Sequence, residues 1–344
     1  MASMNILLVS HKLDYSGAPI ALLELAKSLL RLKHSASISS LQSGPLLAEF
    51  AKSGVKQFDS SKNISDDYDL IIANTVLSVP PSLNFGKSSK KVLAWIHESE
   101  YFFQILKISP EGFRLNELKF AVFPSIFQID EFSQWMPKTI KAQLKNCVQI
   151  PEDVLVSVDA NPYIVCSGQW EERKAQIKLV HLLKNIDSPP EVHFVGASDP
   201  MIPLDGKFMF TGPLTPLEAK FRIARSRGVV SCSISEAQSL VSIEAMMLRV
   251  PVMLSDIPAH RELKLQVPDI LLFDPDNNES FKMAFNLLLN HWKDEALRNR
   301  IKNDALRAFG VEEFDKNVLD LLNFLSTFND GSKLQSSTKN KTSA

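Results

Sequence analysis

"NILLVSHKLDYSGAPIALLELAKSLLRL", Asn5 to Leu32, decides how the fold is read. Its opening, "NILLVS", is a short apolar, β-rich run that ends in a polar residue. The polar stretch "HKLDYSGAP" follows, and "IALLELAKSLLRL" then carries apolar residues at helical spacing. Strand, loop and helix in this order open a βαβ unit.

The same alternation continues outward. "ASISSL", "DLIIANT", "KVLAWIH", "FAVFPS" and "CVQIP" read as further strands separated by polar or helical segments. It pauses in "EDVLVSVDAN" (Glu152 to Asn161), taken as a linker. It restarts with "PYIVCSG", a helix through Lys174 to Lys184, "EVHFVG", "KFMFTG", a helix near Leu217 to Ser226, "GVVSCS", "VPVMLSD" and "DILLFD". Buried-looking strands alternating with helices imply parallel sheets covered on both faces. The expected class is α/β, with two Rossmann-like doubly wound domains facing each other across a cleft. In such domains ligands bind at the C-terminal ends of the strands. From about Ser280 the chain reads as helical. The expected boundaries are 1–155 and 156–310 for the two domains and 311–328 for a C-terminal helix, a candidate for crossing back to the first domain. Residues 329–344 lack apolar content and read as a disordered tail.

A length of 344 residues fits two domains of about 150 residues each. The net charge of −1 lacks the basic excess of a nucleic-acid binder. Cys147, Cys166 and Cys232 are an odd number at wide spacings, which suggests a reducing compartment and no zinc site. The start "MASMNILLVSHK" has no signal-peptide pattern, and no apolar run reaches the ~20 residues of a membrane span. The expectation is a cytoplasmic protein, with at most peripheral contact at the inner face of a membrane.

The chemistry concentrates in "SCSISEAQSLVSIEAMMLRVPVMLSDIPAHREL", Ser231 to Leu263. Glu244 lies just inside a helix, with Leu240, Val241, Met247 and Leu248 as its helical neighbours. An unpartnered carboxylate there costs several kcal/mol, roughly, so something polar must meet it. A neighbouring arginine would suffice; a ribose, with two adjacent hydroxyl donors, would satisfy both oxygens. Glu236 precedes the helix, in the loop leaving a strand. Between the two stand the first amides of the helix, at Ser239 and Leu240, which suit a phosphate. Carboxylate, anion site, carboxylate is the order of sugar, diphosphate and ribose in a nucleotide sugar.

"EAQSLVSIEAM" followed by "VPVMLSDIPAHREL" resembles the E-x7-E region of the retaining family-four glycosyltransferases, which have the GT-B fold. "SHKLDYSGAPIALLELAKSL" is similar to their N-terminal Gly-Gly-Ala loop and first helix, and "VCSGQWEERKAQIKLVHLL" to their G-R-L-x-x-x-K-G segment. "HFVGASD", "FTGPLTP" and "LLFDPDN" fall at matching places, so the resemblance spans most of the chain.

The resemblance implies a donor-binding C-terminal domain and an acceptor-side N-terminal domain. Glu236 would hold hydroxyls of the transferred sugar and Glu244 the ribose. Amides at Ser239 and Leu240 would bind the distal phosphate, and Lys174, in the segment of Gly168 and Gln169, would neutralise the leaving diphosphate. Leu214 would touch the base, Gly17 would let the first loop approach the phosphates, and His97 would stand beside the donor sugar. His11 and Tyr15, on the first loop, are candidates for the acceptor side. The implied activity is metal-independent, retaining transfer from a UDP- or GDP-sugar to a glycan, lipid-linked or other acceptor, with no cofactor. No Asp-x-Asp pair stands at a strand end to suggest a metal.

The sequence also departs from the pattern. Gln169 stands where the family has arginine, Ala237, Gln238 and Ser239 replace Gly-Phe-Gly, and Glu152 and Asp153 replace Asn-Gly. These departures keep open a catalytically weak or inactive nucleotide-sugar-binding protein. A sugar epimerase on the same architecture would need an acid/base pair that the residues do not display.

Overall fold

The computed structural model describes residues 2–58, 68–85, 91–156, 163–198, 200 and 207–338. The first sheet is built from β1 (Asn5–Lys12), β2 (Ser35–Gln42), β3 (Lys56–Gln57), β4 (Leu70–Asn74), β5 (Val92–Trp95), β6 (Phe120–Phe123) and β7 (Ile140–Gln143). Its strands are parallel and ordered β3-β2-β1-β4-β5-β6-β7. The second contains β8 (Tyr163–Ser167), β9 (Glu191–Val195), β10 (Phe208–Phe210), β11 (Val229–Ser231), β12 (Val252–Ser255) and β13 (Leu271–Phe273). It is also parallel, in the order β10-β9-β8-β11-β12-β13. Each order reverses once, between β1 and β4 and between β8 and β11. At such switch points the loops diverge and leave a crevice for ligand.

Both faces of each sheet are covered, which is why the strands read as continuous apolar runs. Ile6 and Leu8 of β1 pack on one side with α1 (Gly17–Arg31), and Leu7 and Val9 on the other with α3 (Val79–Phe85) and α5 (Ile126–Ser133). In the second domain Val165, Val252 and Leu254 pack with α8 (Leu240–Met247) and α11 (Glu295–Phe309). The opposite face meets α6 (Gln176–Leu183) and α10 (Asn278–Lys293).

The chain crosses between domains near Cys147, which packs in the first core, whereas Val148 and Val154 pack in the second. Of the stretch read as a linker, Glu152–Val156 forms a 3-10 turn, and 157–162 lies outside the described residues. The last helix, α12 (Val311–Thr338), returns to the first domain. Phe314, Val318, Leu322 and Leu325 join the core under α1, and Arg31 Nε donates to Asp315 at 2.7 Å. Helical backbone thus continues through 329–338, where composition alone suggested a tail; 339–344 lies outside the described residues. Among the described residues no helix is long and apolar enough to cross a membrane. All three cysteines are free and buried.

Candidate functional site

A cavity of about 850 Å³ opens between the domains at the C-terminal ends of both sheets. Two helix N-termini meet at it. Gly17 begins α1 directly after the first loop, and a Cβ added there would touch Leu240 Cδ1, at the start of α8, at 3.4 Å. A larger side chain would push the two helix ends apart, so the close approach here is between domains.

Helix α8 starts where the sequence placed it. Ser239 is its N-cap, and its hydroxyl accepts from the Ser242 amide. First-turn amides have no acceptor inside their own helix and carry the positive end of its dipole. The side chains that replace glycine here are used elsewhere. Gln238 reaches into the first domain, accepting from the Asn146 amide at 2.8 Å and donating to Pro124 O at 3.2 Å. Ala237, Gln238 and Ser239 all line the cavity at this turn.

Glu236 is buried at the cavity floor. Lys174 Nζ donates to Oε1 at 2.6 Å, Arg173 Nη1 to Oε2 at 2.8 Å, and Ser233 Oγ to Oε1 at 2.8 Å. Burial opposes its ionisation, but Lys174 and Arg173 outweigh burial and hold the carboxyl well below its ordinary range. Arg173 is ringed by Glu236, Glu171 and Ser235 O. Gln169 is exposed on the cavity rim. Lys174 ends a 3-10 turn (Glu172–Lys174) rather than lying in the helix read from Lys174 to Lys184; Ala175, at φ 48°, separates it from α6. Gly168 is required here: its φ is 128°, and a Cβ would meet Lys174 Cε at 3.3 Å.

Glu244 also lines the cavity and is also buried, but a protein partner reaches it first. Lys220 Nζ, from α7 (Pro216–Ala224), donates to Oε1 at 2.6 Å. Leu214 lines the same cavity and packs against the core of the second domain. Lys220 was not singled out from sequence, although the same signal marks it. A charge at 220 with Leu217, Ile223 and Ala224 on its helical face is as anomalous as Glu244, and the two anomalies satisfy each other.

The opposite wall belongs to the first domain. His97 lies two residues past the end of β5 rather than ending it, and its ring packs against that of Trp95, tilted by 51° with centroids 4.5 Å apart. Burial, with His11 adding to it, pushes the His97 imidazole down to about 3, and Nε2 is buried without a hydrogen-bond partner among the described residues. His11 belongs to β1, not to the loop, and its Nδ1 lies 3.0 Å from Thr75 Oγ1. Tyr15 is in the loop and exposed at the rim. Glu98, which the sequence reading passed over, stands beside His97 and accepts from the Val76 amide at 3.2 Å. Farther out, α4 (Tyr101–Leu106) presents Phe102, Ile105 and Leu106 to the cavity, the last two exposed.

The domains are tied beside the cavity. Glu262, on α9 (Pro258–Gln266), accepts from the Ile126 amide at 2.9 Å and from Gln143 Nε2 at 2.7 Å, capping α5 from across the interface. Ser99 Oγ and Ser235 Oγ are 2.6 Å apart. Among the described residues no three His, Cys, Asp or Glu side chains are grouped to hold a metal ion.

Comparison with known proteins completes this picture. Residues 2–186 match the family described as Glycosyl-transferase family 4, and residues 161–291 match Glycosyl transferases group 1. No curated protein sequence matches the chain. Solved structures resemble it over nearly its whole length, all with the GT-B fold. HepE of Anabaena, crystallised with UDP-glucose, is 16% identical with a TM-score of 0.75, covering 93% of this chain and 99% of its own. Sucrose-phosphate synthase of Thermosynechococcus elongatus is 17% identical with a TM-score of 0.71, covering 94% and 99%. The lipopolysaccharide outer core galactosyltransferase WaaB, in its apo form, is 15% identical with a TM-score of 0.64, covering 92% and 99%.

Proposed function

Because the chain belongs to glycosyl-transferase family 4, and is thus a glycosyltransferase, we propose that it moves a sugar from a nucleotide-diphosphate sugar to a glycan or lipid-linked acceptor, with retention and without a metal. One observation carries this reading: Lys174 and Arg173 converge on Glu236 at the cavity floor, within the same cavity as the start of α8. The donor sugar's hydroxyls would replace one or both cations on the Glu236 carboxylate. Lys174, released, would turn to the diphosphate, which the first-turn amides at Ser239 and Leu240 also attract. Charge that grows on the departing phosphate is then met by groups already in place. Glu244 would bind a ribose hydroxyl through the oxygen that Lys220 does not hold, with Leu214 beside the base. The acceptor hydroxyl would attack from the face the diphosphate leaves, and the leaving phosphate would take its proton. The nucleotide would be UDP or GDP, and UDP is in keeping with HepE, crystallised with UDP-glucose.

The exposed Ile105 and Leu106 at the outer edge support an acceptor with an apolar portion. Buried free thiols are in keeping with a cytoplasmic protein that touches a membrane at most peripherally. Incubation with UDP-, GDP- and dTDP-sugars, with and without a chelator, tests the reading; product with the donor's anomeric configuration is expected. If no nucleotide sugar is bound or consumed and Lys174→Ala changes nothing, it fails. Gln169, and a Glu236 carboxylate already engaged by three donors, favour the alternative of a nucleotide-sugar binder without turnover. Calorimetry showing tight nucleotide binding with no transfer would select that alternative.

A further inference from the structure

Glu98 is a carboxylate with no role in the donor chemistry above. It lines the cavity on the first domain's wall, between His97 and Ser99, just beyond the end of β5. Its setting is built. Gln128, on α5, donates to the Glu98 carbonyl at 2.7 Å and fixes the backbone. The Val76 amide fixes the carboxylate, and Val76 follows Thr75, whose φ of 87° is rare for a β-branched residue. Strain of this kind persists only where its surroundings enforce it. Here it sends Thr75 Oγ1 to His11 and the next amide to Glu98.

What Glu98 lacks is a cation. Glu236 and Glu244 are each met by lysine, but among the described residues no Lys or Arg is paired with Glu98. His97 beside it and His11 on β1 are both disfavoured as cations by burial. Lys174, Arg173 and Glu236 stand on the other wall, engaged with one another. Among the described residues only backbone amides donate to the Glu98 carboxylate, so it keeps acceptor capacity, and it lines the cavity.

We propose that Glu98 is the acceptor-positioning carboxylate: it accepts a hydrogen bond from the incoming alcohol and turns that hydroxyl oxygen toward the donor. The ligand class is a polyol or sugar hydroxyl, which a lone carboxylate binds and which an anionic group would not replace. This inference rests on the glycosyl-transfer reading above, and deepens it on the acceptor side. Glu98 makes no covalent bond and takes no proton in the step. Burial raises its carboxyl to about 7, against the backbone amides of Val76, Glu98 and His97 that favour the anion. Only the anion accepts a charge-assisted hydrogen bond, so acceptor use should rise with pH through that region.

Two measurements test it. In enzyme labelled with 13C at the glutamate carboxyls, the Glu98 signal is identified by its loss in Glu98→Gln. Its titration midpoint should fall when glycerol, methyl glucoside or octyl glucoside is added, because a hydroxyl donor favours the carboxylate. A midpoint that none of these polyols moves overturns the proposal. In transfer from UDP-glucose to octyl glucoside, Glu98→Gln should raise the acceptor KM by about 10- to 100-fold. It should also remove the pH limb near 7, while UDP affinity stays that of the wild type. Wild-type KM with an unchanged pH profile overturns the proposal. If neither UDP nor GDP binds the wild-type protein, it is the donor reading that falls, and the polyol titration of Glu98 still decides this one.

Discussion

On the second domain's wall of the cleft, Glu236 and Glu244 each have a lysine 2.6 Å from a carboxylate oxygen. On the first domain's wall, Glu98 and His97 are enclosed with no counter-ion among the described residues, and burial drives both toward their neutral forms. The difference is instructive. Ion pairs keep charge ready on the wall that would face a diphosphate, where the leaving group's negative charge must be met without waiting for solvent. A carboxylate that no cation among the described residues engages is left, once ionised, to accept from an alcohol, which brings no charge of its own. One cavity thus has two electrostatic settings, each supplied by its own sheet.

The contrast can be broken most severely at Lys220. Lys220→Ala strips the buried Glu244 of its partner and should lower stability by about 3–5 kcal/mol in urea unfolding. Lys220→Met with Glu244→Leu should recover most of that loss. A single-variant cost below about 1 kcal/mol would mean that water serves Glu244 as well as lysine does. Next in size is Lys174→Ala, expected to cut transfer about 100- to 1,000-fold with circular dichroism unchanged, since Arg173 and Ser233 still hold Glu236.

The walls should also titrate with opposite sign. Glu236 has a depressed carboxyl, so its contribution to stability is present above the ordinary value of 4.5 and lost as pH falls well below it. Glu98 has a raised one, so stability falls as pH climbs from 4.5 to about 7 and is level beyond. Glu98→Gln should accordingly match the wild type near pH 4 and exceed it above pH 7 by up to about 3 kcal/mol. Equal unfolding curves at both pH values would remove the contrast. The smallest effect is expected at the tie between the walls: Glu262→Ala uncaps α5 from across the interface. It should cost about 1 kcal/mol, read as a lower melting temperature and a larger radius of gyration in solution scattering.

Much of this was legible beforehand, and the reasons are local. The apolar runs that became β1, β4, β8 and β12 are buried on both faces, so each reads as a strand without knowledge of its neighbours. Ser239 as the start of α8 follows from its cap chemistry. Glu244 was flagged by its own helical neighbours, yet its partner was not, because Lys220 lies 24 positions away on a different helix. Glu98 gave no signal at all: "HES" has no periodicity, and only the folded loop around Thr75 encloses it.

The sequence by itself determined two parallel-sheet domains, the order of their motifs and which side chains were out of place among apolar neighbours, since all of these depend on residues a few positions apart. Only the tertiary structure decided who meets whom: Lys220 with Glu244, Arg173 and Lys174 with Glu236, and, among the described residues, nothing cationic with Glu98. Charge pairing acts through space over a few ångströms, between residues that lie dozens of positions apart along the chain. Ionisation follows the pairing.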